Sequence, residues 1–235
     1  LNALGLLATA CSAMAVYDLF GKRCPVPPVT DAAQGIAWAA LVWVGAELAG
    51  GPRPLTWVAA AYGFGFTLLI NGVHGGLRDL ENDFANGART TAIFLGVRPS
   101  PHGCPQIPRR AWVYCFALQL ALLGLALAAA FAAFPSSQRV PLLVMVSGGG
   151  CLWLMSRVLR PELPGWHLLF RLHLAALLLP LLGVVLSPAS ARPAAFVLVV
   201  LFAPVLLLDS VHAMFAWASR RVRARAEAKP SEGRR

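Results

Sequence analysis

The chain has 235 residues, 58% of them hydrophobic and 13% charged, with a mean hydropathy of +0.66. Ordinary soluble domains carry roughly 25% charged residues, so this balance excludes a water-soluble globular fold. The net charge of +10 does not mark a nucleic-acid partner, because the Lys and Arg residues sit at the ends of apolar segments instead of on one polar face.

The predicted elements are apolar segments at 3–20, 32–50, 56–76, 112–134, 140–158, 167–187 and 194–217. At 1.5 Å per residue each is long enough to cross roughly 30 Å of hydrocarbon. The expected fold is therefore all-α, a polytopic transmembrane bundle of about seven helices, forming one domain over 1–217. Gly50-Gly51-Pro52, Pro135-Ser136-Ser137 and Pro188-Ala189-Ser190 read as short turns between antiparallel neighbours, and the one long connection is 77–111. The tail, 218–235, is basic and poor in large apolar residues, and is expected to be disordered at the surface of anionic lipid.

Assigning alternate loops to opposite sides puts 17 of the 20 Lys and Arg residues on one side, with only Arg53, Arg139 and Arg192 on the other. The positive-inside rule then places the long connection and the C-terminal tail in the cytoplasm, and Leu1 outside. The five cysteines show no CxxC or Cys/His ligand spacing, and several lie in apolar segments, so neither disulfides nor zinc are expected.

Polar groups cluster abruptly after the third segment, in Gly75-Gly76-Leu77-Arg78-Asp79-Leu80-Glu81-Asn82-Asp83, followed by Gly87-Ala88-Arg89-Thr90-Thr91. If the helix runs on through Asp83, Asp79 and Asp83 share a face about one turn apart. Two like charges there need a counter-ion. Mg²⁺ suits them, since it takes oxygen ligands and is commonly held by one or two carboxylates while substrate phosphates complete its shell. Arg89 and Arg78 are then placed to contact phosphate oxygens. The plainer reading is that these charges only solvate a helix end and set topology.

These residues carry a resemblance. Asp79-Leu80-Glu81-Asn82-Asp83, Gly87-Ala88-Arg89-Thr90-Thr91-Ala92 and Leu95-Gly96 resemble the second aspartate motif of the UbiA superfamily of intramembrane prenyltransferases, DxxxD followed by GxK/RT/S and then LG. Tyr17 and Lys22-Arg23 resemble that family's Tyr and Lys-Arg pair after its fourth helix, at a spacing one residue longer. The resemblance implies a UbiA-like bundle of nine or ten helices and a Mg²⁺-dependent enzyme that transfers a prenyl group from an allylic prenyl diphosphate to a hydrophobic, often aromatic, acceptor. On it, Asp79 and Asp83 hold metal, and Arg89, Arg78, Lys22, Arg23 and Tyr17 bind substrate. The family's first motif, NDxxDxxxD, does not occur in the sequence. Aligned on the motifs, Leu1 falls at the start of the family's fourth helix, so three helices are expected to precede it. A chain of this content is expected to be inactive by itself, because a single DxxxD cannot readily hold two bridging metals.

Asn71 and His74, three residues apart before the motif, are expected near one face, lining a pocket mouth or bonding between helices. Asp209 and His212 read as a pair near the interface, and Gly148-Gly149-Gly150 as a close helix contact. Two other classes stay open: a transporter or structural protein whose charged loop only sets topology, and an inactive relative acting as a partner subunit. The CDP-alcohol phosphotransferases are ruled out by order, since their second DxxxD follows Ala-Arg and none follows Gly96 here.

Overall fold

The computed structural model describes residues 2–100 and 104–187, and these are helical throughout except for turns and one isolated bridge between Arg98 and Gln106. The apolar segment 194–217, with Asp209 and His212, and the tail 218–235 lie outside the described residues. In order the elements are α1 (Ala3–Phe20), α2 (Pro27–Leu48), α3 (Pro54–Leu69), a π-helical stretch (Ile70–Gly75), α4 (Gly76–Arg78), α5 (Leu80–Ala85), α6 (Thr91–Phe94), α7 (Arg109–Ala133), α8 (Arg139–Val158), α9 (Trp166–Ala176) and α10 (Leu179–Val185).

Five stretches among the described residues have the length and apolar composition of membrane spans: Ala3–Phe20, Pro54–Arg78, Arg109–Ala133, Arg139–Val158 and Trp166–Val185. That is the architecture of a multi-pass helical membrane protein. The outward-facing residues suit lipid, with Leu4, Leu48, Trp57 and Val146 all largely exposed. α2 is 22 residues long but carries Thr30, Asp31, Gln34 and Glu47, and does not meet the same composition test. α1 packs on α2, α2 on α3, α3 on α7, α7 on α8 and α8 on α9, and α10 folds back against α8 and α7.

The ends follow simple rules. Asn2 caps α1 by accepting from the Gly5 amide at 2.8 Å. α2 opens on Pro27-Pro28 and α3 on Pro54, where the missing N–H costs nothing. The sixth predicted segment is split, and Pro180 is the cause. Proline has no N–H to give the carbonyl four residues back, and its ring clashes with that carbonyl. The carbonyls freed at the break are recovered by side chains: Ala176 accepts from the Cys151 thiol at 3.1 Å, and Leu177 from the fully buried Tyr62 hydroxyl at 2.5 Å. In hydrocarbon such groups have no water to turn to.

Of the glycine triplet in α8, Gly148 lies against Leu123 of α7, whereas Gly149 and Gly150 face open space, so one glycine makes the close contact. A buried polar chain links the third span, α7 and α9. His173 of α9 lies 3.1 Å from His74 and 3.2 Å from Gln119 Oε1 of α7. His173 thus stands between the two, one ring nitrogen on His74 and the other on Gln119.

Candidate functional site

The motif sits where the third span leaves regular α-helix. From Ile70 to Gly75 the turn widens to i→i+5, and π-stretches of this kind recur at functional sites. The wider turn rotates residues three apart away from each other. Asn71 and His74 accordingly do not share a face: Asn71 reaches Asp31 and Gln34 of α2, while His74 joins His173 of α9. Both bond between helices.

The helix does not run regularly through Asp83. Asp79 leaves helical geometry at φ −99° and ψ 6° and separates α4 from α5, although its amide still donates to Gly75 and its carbonyl accepts from the Asp83 amide at 2.8 Å. The irregularity lets adjacent side chains meet that would diverge on a straight helix. Arg78 grips Asp79 with Nε at 2.9 Å and Nη2 at 2.7 Å. One turn on, Asp83 is buried, with its side chain 4% exposed, and accepts from Lys22 Nζ at 2.7 Å.

Lys22 belongs to the turn after α1, 61 residues earlier. Its backbone carbonyl accepts from the Arg89 amide at 2.9 Å, which ties the Gly87-to-Thr91 loop to the same corner. Tyr17, half-buried, stands within electrostatic range of Asp31, Asp79 and Asp83. The side chains of Arg23 and Arg89 are exposed and make no hydrogen bond or ion pair with described residues. The site thus brings together Lys22, Asp83 and the backbone of Arg89, with Asp79 and Arg78 one turn before Asp83; Arg23 follows Lys22 in the same turn, and Asn71 lies earlier along the third span.

The flanking residues have definite local jobs. Thr90 caps α6, its hydroxyl accepting from the Ile93 amide at 3.4 Å. Thr91 is buried and donates to Asp31 Oδ2 at 2.5 Å. Gly96, at φ +88°, ends α6 in the left-handed region, against the Arg110 guanidinium that bonds the Leu95 carbonyl; a side chain there is both strained and obstructed.

Two functional candidates escape a reading of the sequence: Asp31 and Gln34. Asp31 is 6% exposed and held by Thr91 and Asn71. The signal was present, an acid and an amide three residues apart on one helix face. It is obscured because the predicted second segment begins at 32, whereas Pro27-Pro28 start the helix a turn earlier.

As to metal, Asp79 and Asp83 offer hard oxygen donors on successive turns, and among the described residues no third Asp, Glu, His or Cys gathers with them. This donor set fits the protein's share of one Mg²⁺ shell, the rest coming from phosphate and water. The Arg78 hydrogen bonds hold the Asp79 carboxyl below the usual carboxylate range, with the Arg78 and Lys22 charges adding to the effect. A depressed folded pKa means that the Arg78–Asp79 pairing is present above the unfolded value of about 3.9 and is lost as pH falls through the folded one. A ¹³C titration of the Asp79 carboxyl is expected to give a midpoint below about 3.9, moving toward that value in Arg78→Gln. A midpoint above 3.9 in the native chain contradicts the pairing.

No family model, curated protein or solved structure matches the chain.

Proposed function

We propose that the chain is the diphosphate-binding part of an intramembrane, Mg²⁺-dependent prenyltransferase, which transfers a prenyl group from an allylic prenyl diphosphate to a hydrophobic acceptor. One observation carries the reading: Lys22, the Asp79/Asp83 pair and the Arg89 loop, separated by up to 67 residues, meet at one corner of the bundle. These are the elements that the UbiA-like motifs would bring together. The charge bias of the loops puts this corner on the cytoplasmic side, where soluble diphosphates are available.

Asp79 and Asp83 would hold the metal, which when bound neutralises phosphate charge and stabilises the departing diphosphate. Arg89 and Arg23, exposed and unpaired with described residues, are the cations free to meet phosphate oxygens. Lys22, now bound to Asp83, becomes available to phosphate when that carboxylate turns to metal. Tyr17, within electrostatic range of these carboxylates, would orient the prenyl diphosphate. The apolar interior beside Asn71 excludes water from the reacting carbon.

A second reading, a catalytically inactive partner subunit, is favoured by the fact that both motif carboxylates already have cations on the chain itself. The deciding experiment supplies the full chain in lipid nanodiscs with radiolabelled prenyl diphosphate, Mg²⁺ and a membrane lipid extract. As the diphosphate-binding part, the chain is expected to bind the diphosphate in a Mg²⁺-dependent way, lost with EDTA and with Asp79→Ala, and label entering the apolar fraction would show transfer by the chain itself. Binding that is insensitive to EDTA and to Asp79→Ala supports the partner reading. Neither binding nor transfer overturns both.

A further inference from the structure

A cavity of about 410 Å³ opens between α2, α3, the π-stretch and α10, walled by apolar groups that include Trp38, Phe66 and Leu181. Two side chains on its wall, Gln34 and Asn71, are polar in a way that Asp31 dictates. Asp31 Oδ2 takes the Thr91 hydroxyl and Oδ1 takes one hydrogen of the Asn71 amide, at 3.2 Å. Wherever the Thr91–Asp31 proton lies, Oδ1 is an acceptor, so Asn71 must turn its NH₂ toward it. The second hydrogen of that NH₂ goes to Gln34 Oε1 at 2.5 Å, which fixes the Gln34 amide as well.

What remains is a matched pair. Asn71 Oδ1, an acceptor, and Gln34 Nε2, a donor, have no hydrogen-bond partner among the described residues, and both side chains line the cavity. The other hydroxyls on this wall are committed elsewhere, Tyr62 to the Leu177 carbonyl and Thr67 to the Gly63 carbonyl. A carbonyl or ether oxygen placed between the two amides satisfies Gln34 and leaves Asn71 unpaired. A hydroxyl satisfies both, accepting from Gln34 and donating to Asn71.

We infer that this cavity binds an apolar molecule ending in a hydroxyl, a phenol or long-chain alcohol, and that Asp31 is the positioning residue that sets its donor–acceptor pattern. The site stands apart from prenyl transfer, although on that reading the occupant is the acceptor.

The test uses the full chain in nanodiscs, without Mg²⁺ or diphosphate, so that its failure is distinct from failure of the prenyltransferase reading. Tritiated 4-octylphenol is the probe, empty nanodiscs are subtracted, and 4-octylanisole and octylbenzene compete. The phenol is expected to bind on the order of tenfold more tightly than its methyl ether, which can accept but not donate. In Asp31→Asn that ratio falls to within about twofold, with octylbenzene binding and unfolding temperature kept, because the amides can then turn over. Equal binding of phenol and ether by the native chain, or an unchanged ratio in folded Asp31→Asn, overturns the proposal. Should Asp31→Asn fail to fold, Gln34→Met decides: loss of the phenol's advantage over octylbenzene supports the site, and retention overturns it.

Discussion

Exchanging the charges of Lys22 and Asp83 is expected to restore a folded chain that no longer binds prenyl diphosphate through Mg²⁺. Asp83→Lys alone sets two cations against each other at a buried position, and Lys22→Asp alone sets two carboxylates there. Hydrogen bonds to charged groups contribute about 1.5–3 kcal/mol, and Lys22 is 61% exposed, so each single variant should cost toward the lower end of that range. The double variant Lys22→Asp/Asp83→Lys rebuilds an ion pair across the same turn and should recover most of the loss in thermal unfolding. It cannot rebuild an oxygen ligand on α5. If Asp83 holds metal, Mg²⁺-dependent diphosphate binding stays at least about tenfold weaker than in the native chain, because one of the two carboxylate ligands is gone. A double variant that is stable and binds as the native chain does would show that Asp83 serves only as the Lys22 partner. One that stays unstable would show that the pair is not what holds the α1–α2 turn to α5.

Gly76→Ala is expected to be clearly destabilising, and Gly75→Ala next to it nearly silent. A Cβ on Gly76 would lie 2.6 Å from the Ala92 Cβ and 3.2 Å from the Asn71 carbonyl oxygen. Neither atom can rotate away, since one is fixed to the backbone of α6 and the other belongs to the π-stretch. The clash must move α6, and with it Thr91 and its bond to Asp31. Overpacking of this kind costs about 1–3 kcal/mol. A Cβ on Gly75 meets only the Ile70 carbonyl at 3.6 Å, an ordinary contact. The check is thermal unfolding of both variants and of Gly76→Ala/Ala92→Gly. Removing the facing methyl should return stability to within about 0.5 kcal/mol of the native chain. Equal sensitivity at the two glycines, or no rescue by Ala92→Gly, contradicts this account of the contact.

The same pair of glycines shows where a sequence stops being informative. Gly75 and Gly76 are indistinguishable as letters, and only the approach of α6 separates them. The motif spacing likewise placed Asp79 and Asp83 one turn apart, which holds along the backbone through the Asp79–Asp83 hydrogen bond. It could not show that the helix distorts at Asp79, or that Arg78 and Lys22 each take one carboxylate. Asn71 and His74 looked like neighbours because three-residue spacing brings side chains together on an α-helix; the π-stretch removes that premise.

Solvent preference was legible in the order of residues alone. Runs of apolar residues long enough to cross a bilayer, broken by Gly and Pro and flanked by Arg, dictate membrane-spanning helices, because in hydrocarbon the backbone must satisfy its own hydrogen bonds. Five such spans stand among the described residues. The break in the sixth segment went unread, although Pro180 carried its signal. Contacts across long separations were left to the tertiary structure: Lys22 on Asp83, Tyr62 on the carbonyl freed near Pro180, and Asp31 behind Asn71 and Gln34. Periodicity records which face of a helix is apolar, and says nothing about which buried polar group will meet which. That choice is made by the packing of helices, whose polar side chains must find partners once water is gone.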